Sequence, residues 1–164
     1  MPSSRKKGLE KTTNMFALRR LDWKGFFEGK VESRSGLSIH RMVANNNIVI
    51  VATTSGMILR MNLAGGVDFD MIEVCQRPED TIHEIFVDST GYHLVVGLSN
   101  GTNYYVHGHS NKAKLLTKLQ CVIESVAFNQ RESTESTTKS ILVGSSTGQI
   151  FEVVIENGRE SVST

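Results

Sequence analysis

One pattern constrains this chain more than any other. A segment opening on isoleucine recurs as "IHRMV" at Ile39, "IHEIF" at Ile82 and "IESVA" at Ile123, at spacings of 43 and 41 residues. Each copy is followed by a small polar turn between apolar runs. The glycines of those turns, Gly56, Gly101 and Gly148, are 45 and 47 residues apart. Two independent landmarks with a shared period mean that one structural unit is written three times.

Inside each unit the pattern is β. Val, Ile, Leu, Phe and Tyr cluster in runs of about four to eight residues bounded by Gly, Asn, Ser and Asp, without the 3.6-residue periodicity of a helix. The first unit gives "SIHRMVA", "NIVIVAT", "MILRMNL" and "MIEVCQ"; the second gives "TIHEIFVD", "YHLVVGL", "TNYYVHG" and "KLLTKLQ". The third gives "VIESVAFN", "SILVGSS" and "IFEVVIE", then stops before a convincing fourth strand, so 159–164 is expected to be a tail. Four strands in about 40–45 residues is the size of a β-propeller blade. The expected fold is therefore all-β: a partial β-propeller over 31–158, with about three four-stranded blades near 37–76, 81–120 and 122–156. The second strand of each unit is nearly all apolar (Ile48 to Val51, Leu94 to Leu98, Ile141 to Val143), as a strand sandwiched between neighbouring blades requires.

Turn chemistry agrees. Asn100-Gly101 is a type I′ signal, with Ser55-Gly56 and Thr147-Gly148 as weaker versions. Asp88 to Gly91 makes a tight turn, which the third unit replaces with the polar stretch Asn129 to Lys139, expected to be a surface loop. Three blades cannot close a ring, because propellers typically carry about four to eight. The expectation is an incomplete ring, from an N-terminal piece of a longer protein or an early-ending isoform. Its uncovered blade faces would make it poorly soluble without a partner.

Charge narrows the function classes. The net charge is +1, but residues 1–30 hold eight Lys/Arg against three Asp/Glu, which leaves the remainder at net −4. An RNA- or phosphoinositide-binding propeller needs a basic stripe on its blades, which this balance does not favour. The 1–30 segment reads as basic and partly disordered, with a possible outer strand near 15–22. No apolar run approaches the ~20 residues that span a bilayer, and the start lacks the apolar core of a secretory signal. Asn100-Gly-Thr is thus read as a turn rather than a glycosylation site.

Longer strings carry a resemblance. "TIHEIFVDSTGYHLVVGLSNGTNYYV" and "VIESVAFNQRESTESTTKSILVGSSTGQIFE" are similar to the N-terminal propeller of the vacuolar protein sorting-associated protein 18 (deep orange) family, over roughly 39–155. The resemblance implies a non-catalytic scaffold, part of a core subunit of the HOPS and CORVET vesicle-tethering complexes in endosome-to-lysosome or vacuole trafficking and membrane fusion. The implied partners are other class C Vps subunits and, indirectly, SNAREs and Rab GTPases. The implied place is cytoplasmic, peripheral on late endosome, lysosome or vacuole membranes. Family members continue into an α-solenoid and a zinc-binding RING-type domain. With two cysteines this chain cannot supply a RING's ligands, so ubiquitin-ligase activity does not carry over. The alternatives are a generic WD40-like interaction propeller, a propeller enzyme, or the phosphoinositide or RNA binder.

His107 and His109 face the same way if they share a strand, and two such imidazoles suit a metal. No third ligand accompanies them and Gly108 suggests a turn, so polar residues at a strand end are favoured. His40 and His83 occupy equivalent repeat positions, where the third unit has Glu124; a repeated structural hydrogen bond is the favoured role. Cys75 and Cys121 lie one repeat apart and read as buried thiols. The loop hydroxyls Ser133, Thr134, Ser136, Thr137 and Thr138 offer phosphorylation sites or belong to a flexible insertion. Arg5, Lys6 and Lys7 read as a solvated tail rather than a lipid-binding cluster. Trp23, Phe26 and Phe27 either anchor a partner or pack the start of the domain. Glu84, Asp88 and Glu124 are the carboxylates an enzyme would need to converge, and they fall at different strand positions. Phosphate-cradling glycine loops and a GxSxG elbow are absent. Catalytic, cofactor and metal residues are therefore expected to be none.

Overall fold

Runs of β-branched and apolar residues make twelve strands, and no helix, in the computed structural model, which describes residues 38–65 and 69–163, all within the unit Arg34–Thr164. The strands form three separate four-stranded sheets, each an antiparallel meander in chain order. The first holds β1 (Ile39–Asn45), β2 (Ile48–Thr53), β3 (Met57–Asn62) and β4 (Phe69–Glu73). The second holds β5 (Ile82–Val87), β6 (His93–Leu98), β7 (Asn103–His107) and β8 (Lys114–Leu116). The third holds β9 (Ile123–Ala127), β10 (Thr137–Ser145), β11 (Ile150–Glu156) and β12 (Arg159–Ser163). The opening strands β1, β5 and β9 touch in succession. The sheets therefore fan out from a row of first strands, as propeller blades do, and they do not close a ring.

β12 corrects the expected tail. Its alternation "RESVS" is mostly polar, since it is an outermost strand with one half-buried side, and that hides it from an apolar-run criterion. The overlooked signal is Asn157-Gly158. Both residues have positive φ (48° and 68°), and Glu156 pairs directly with Arg159, which is the two-residue type I′ hairpin that Asn-Gly favours. Asn100-Gly101 goes the other way. Only Gly101 is left-handed (φ 84°), and the Leu98 and Thr102 backbones close a three-residue loop around it. Gly56 and Gly148 repeat this geometry, with Gly-to-i−3 hydrogen bonds of 3.2 and 3.0 Å. A type I turn followed by a left-handed glycine thus replaces the expected type I′ turn at all three repeats.

Ile39, Ile82 and Ile123 occupy matching places. They pair with Thr53, Leu98 and Ser145 on the second strands, and in each sheet the residue after the isoleucine is squeezed out of register. That extra residue is a β-bulge, which twists the first strand and re-aims its side chain. The residues in it are His40, His83 and Glu124.

Two cores lie between the three sheets. Because successive strand residues point to opposite faces, the middle sheet serves both. Leu94, Val96, Leu98, Tyr104 and Val106 pack with Ile50, Ala52, Ile58 and Ile72 of the first sheet. Val95, Tyr105 and Leu116 pack with Ile123, Ile141, Val143, Val153 and Ile155 of the third. All six residues of β6 are buried. β10 instead alternates, and Leu142 is 51% exposed between buried Ile141 and Val143. The apolar second strand is therefore buried on both faces only in the sheets where both faces are covered, and Leu142 departs from the sequence expectation.

Candidate functional site

The carboxylates and histidines that an enzyme would need are spread over two ends of the sheets. At the bulge end, His83 Nε2 meets Glu124 Oε1 at 3.3 Å and Arg41 Nε donates to Glu84 Oε2 at 3.0 Å. The first pair joins two bulge residues of adjacent sheets. The second joins the residues just beyond the bulges. His40 is exposed, and its carbonyl accepts from Arg41 Nη1 at 3.1 Å. The repeat-equivalent His83 and Glu124 thus tie adjacent sheets, whereas His40 contributes a carbonyl contact within its own strand, so the two histidines do not repeat one hydrogen bond. Half-exposed pairs of this kind contribute at most about 1 kcal/mol each.

Asp88 sits at the far end of β5, fully buried. Burial pushes its carboxyl up, but hydrogen bonds outweigh that and hold it below the usual carboxylate range: from Thr90 Oγ1 at 2.6 Å, the His93 amide at 2.9 Å, Ser133 Oγ at 2.9 Å and the Thr90 amide at 3.2 Å. Three of the four donors shape its own turn. The fourth, Ser133, belongs to the third sheet.

Around Ser133 the third sheet's long loop docks on the second. His93, fully buried at the start of β6, donates from Nε2 to the Thr134 carbonyl at 2.5 Å, because a carbonyl only accepts; its Nδ1 lies 2.7 Å from Tyr105 Oη. His107 Nε2 donates to the Glu135 carbonyl at 2.7 Å, and His109 Nε2 meets the Glu135 carboxylate at 2.8 Å. The three imidazoles form a chain, with ring centroids 5.9 Å and 5.6 Å apart, and Tyr92 lies over His107 and His109. Gly108 permits this: a Cβ there would come within 2.4 Å of the Tyr92 ring. His107 and His109 are thus more than polar residues at a strand end, since they fasten one loop between two sheets. Among the described residues no group of three or more His, Cys, Asp or Glu is placed to hold a metal.

Part of the expected loop is strand. Thr134 and Thr137 close a small bridge, and Thr137 and Thr138 are buried inside β10. The Ile155 amide donates to Thr138 Oγ1 at 2.9 Å. Of the five hydroxyl residues singled out from sequence, Thr134 and Ser136 are exposed and Ser133 is half-buried.

Sequence reasoning missed two ties. Arg60, 8% exposed, binds Asp70 Oδ2 at 2.8 Å on its own sheet and the His107 and Ser110 carbonyls at 2.8 and 3.0 Å on the next. The available signal was an arginine inside the apolar run "MILRMNL". Glu160 of β12 accepts from the Lys118 amide at 2.7 Å and Thr117 Oγ1 at 3.1 Å, which latches the third sheet to the rim of the second. Two grooves flank the histidines. One of about 370 Å³ is lined by Arg60, Asp70, Tyr92 and His109; the other, about 670 Å³, by His107, Glu135, Ser136 and Asn157.

Cys75 and Cys121 are free and half-buried. Burial pushes both thiols up, with Asp80 adding to the effect at Cys75, which disfavours the thiolate that a nucleophile needs. Each packs against the turn glycine of its own sheet, Gly56 or Gly101. Asn100 makes a turn contact, its Oδ1 accepting the Thr102 amide at 2.9 Å. Arg5, Lys6, Lys7, Trp23, Phe26, Phe27 and the outer strand near 15–22 lie outside the described residues.

Radiating four-stranded sheets tied laterally through bulge residues and docked loops define a β-propeller segment. The Pep3/Vps18/deep orange β-propeller domain matches residues 25–163. The chain belongs to that family. It is similar to Vacuolar sorting protein 18 of Arabidopsis thaliana, 32% identical over 120 residues, covering 70% of this chain and 12% of that protein. It is also similar to the Vacuolar protein sorting-associated protein 18 homolog of Danio rerio, at 28% identity over 84% of this chain and 14% of that one. The chain therefore spans about one-eighth of the length of these relatives. A chain in the crystal structure of the mitotic checkpoint complex aligns with a TM-score of 0.50 and 14% identity over 94% of this chain and 45% of that one, a likeness of fold alone.

Proposed function

We propose that this chain is a non-catalytic scaffold, the propeller portion of a core subunit of HOPS- and CORVET-type vesicle-tethering complexes. It works by shape, on late endosome, lysosome or vacuole membranes, in contact with other class C Vps subunits and through them with SNAREs and Rab GTPases. Membership of the Vps18 propeller family is the observation that carries this reading. The geometry supports it, because the polar groups that catalysis would recruit are engaged elsewhere. Glu84 holds a lateral ion pair with Arg41, Glu124 meets His83 Nε2, Asp88 is saturated with donors at the opposite end of β5, and His93 and His107 bind backbone carbonyls.

Co-purification tests it. The tagged chain, expressed in cells that contain the tethering complexes, is expected to retain class C Vps subunits on affinity capture. A folded chain that captures none of them, or a chain that turns over a substrate in a manner lost with Asp88→Asn or Glu124→Gln, would falsify the scaffold reading.

A further inference from the structure

We propose that Ser133 is a phosphorylation site whose modification releases the 129–136 loop from the second sheet. Ser133 differs from the other loop hydroxyls in what it touches: its Oγ donates at 2.9 Å to Asp88 Oδ2, a buried carboxylate of the neighbouring sheet. Thr134 and Ser136 Oγ face each other at 3.4 Å on the exposed side, and Thr137 and Thr138 are buried within β10. A phosphate on any exposed hydroxyl would be solvated in place. On Ser133 it removes a donor and sets a charge of about −2 against an existing anion, the arrangement in which phosphorylation disrupts rather than orders.

A protein kinase moves the terminal phosphoryl group of a nucleoside triphosphate to Ser133 Oγ. The new O–P bond replaces the bond to the departing diphosphate, and the hydroxyl proton leaves through the kinase base. The half-buried Ser133 is reached when the loop is undocked from the second sheet. Arg131, Glu132, Thr134, Glu135 and Ser136 are exposed; on the second sheet its anchors beyond Ser133 are the two carbonyls held by His93 and His107 and the Glu135 carboxylate held by His109, while the Thr134–Thr137 backbone pair and the Ser136 carbonyl on the Asn157 amide keep it on its own sheet. Modification then captures the open form, because the phosphate cannot return to its place beside Asp88.

The test has two arms. In the protein isolated from its own cells with phosphatases inhibited, mass spectrometry is expected to place phosphate on Ser133; phosphate confined to Thr134 or Ser136, or none in the loop, overturns the proposal. In the purified full chain, trypsin cleavage after Arg131 and hydrogen exchange over 129–136 are compared for Ser133→Glu and Ser133→Ala. Ser133→Glu is expected to open the loop at least about tenfold more than Ser133→Ala, which loses the hydrogen bond alone. In an Asp88→Asn background that difference is expected to fall below about threefold, because the opposing charge is gone. Equal opening by the two variants, a difference that survives Asp88→Asn, or loss of β6 protection along with the loop in Ser133→Glu each overturns it.

Discussion

The second and third sheets are built from similar strings, yet they differ in how much of each is interior. In the second, all six residues of β6 are buried and Tyr104 and Tyr105 send their rings into opposite cores. In the third, β10 buries every other residue only from Ser140 to Ser145, and Leu142, Glu152 and Ile150 share an outer side that no other sheet covers among the described residues. The same apolar strand is thus a two-faced core element in one place and a half-exposed one in the other. Burial of a blade is a property of its neighbours.

That contrast predicts unequal mutational costs. Leu98→Ala, at a fully buried position of β6, is expected to cost about 2–5 kcal/mol. Leu142→Ala, on the exposed side of β10, should fall within about 0.5 kcal/mol. Urea midpoints of the two variants measure the gap, and equal losses would mean that the third sheet's outer face is covered.

The turn glycines sharpen the comparison. Gly148 has φ 81° with nothing within 4 Å of an added Cβ, so Gly148→Ala should cost about 1–2 kcal/mol from backbone strain alone. Gly56 has φ 79°, and its added Cβ would fall 2.4 Å from Cys75 Cβ, so Gly56→Ala is expected to cost more. The pair, measured by thermal unfolding, separates strain from crowding. The idea fails if Gly56→Ala is the milder of the two.

Acid reads the junction between the sheets. The folded Asp88 carboxyl lies below its usual range, so its contribution is present at neutral pH and is lost as pH falls through the folded value. Stability is expected to decline below about pH 4, with a shallower decline in Asp88→Asn. Parallel pH profiles for the two proteins would show that Asp88 does not set the acid limb. A small effect is also expected at the bulge end: Arg41→Ala breaks a half-exposed pair with Glu84 and should cost less than about 1 kcal/mol, screened further by salt.

Much of the architecture was legible because a repeat displays its landmarks more than once. Ile39, Ile82 and Ile123 sit at the same bulge-flanking place in three sheets, and Gly56, Gly101 and Gly148 turn the same corner. The docked loop was not legible. Nothing local in "NQRESTES" says that its carbonyls meet imidazoles from 41 and 28 residues away in sequence. Nor does a lone arginine in "MILRMNL" announce that Arg60 caps two carbonyls of the next sheet.

By itself the sequence determined the unit: strand periodicity, turn glycines and a repeat length that admits four strands, all set by short-range backbone and side-chain preferences. Only the tertiary structure decided which faces are interior and which polar residues become ties between sheets. Those outcomes depend on what a neighbouring sheet places against each side chain, and hydrogen bonding and burial across a sheet junction act between residues that local pattern cannot bring together.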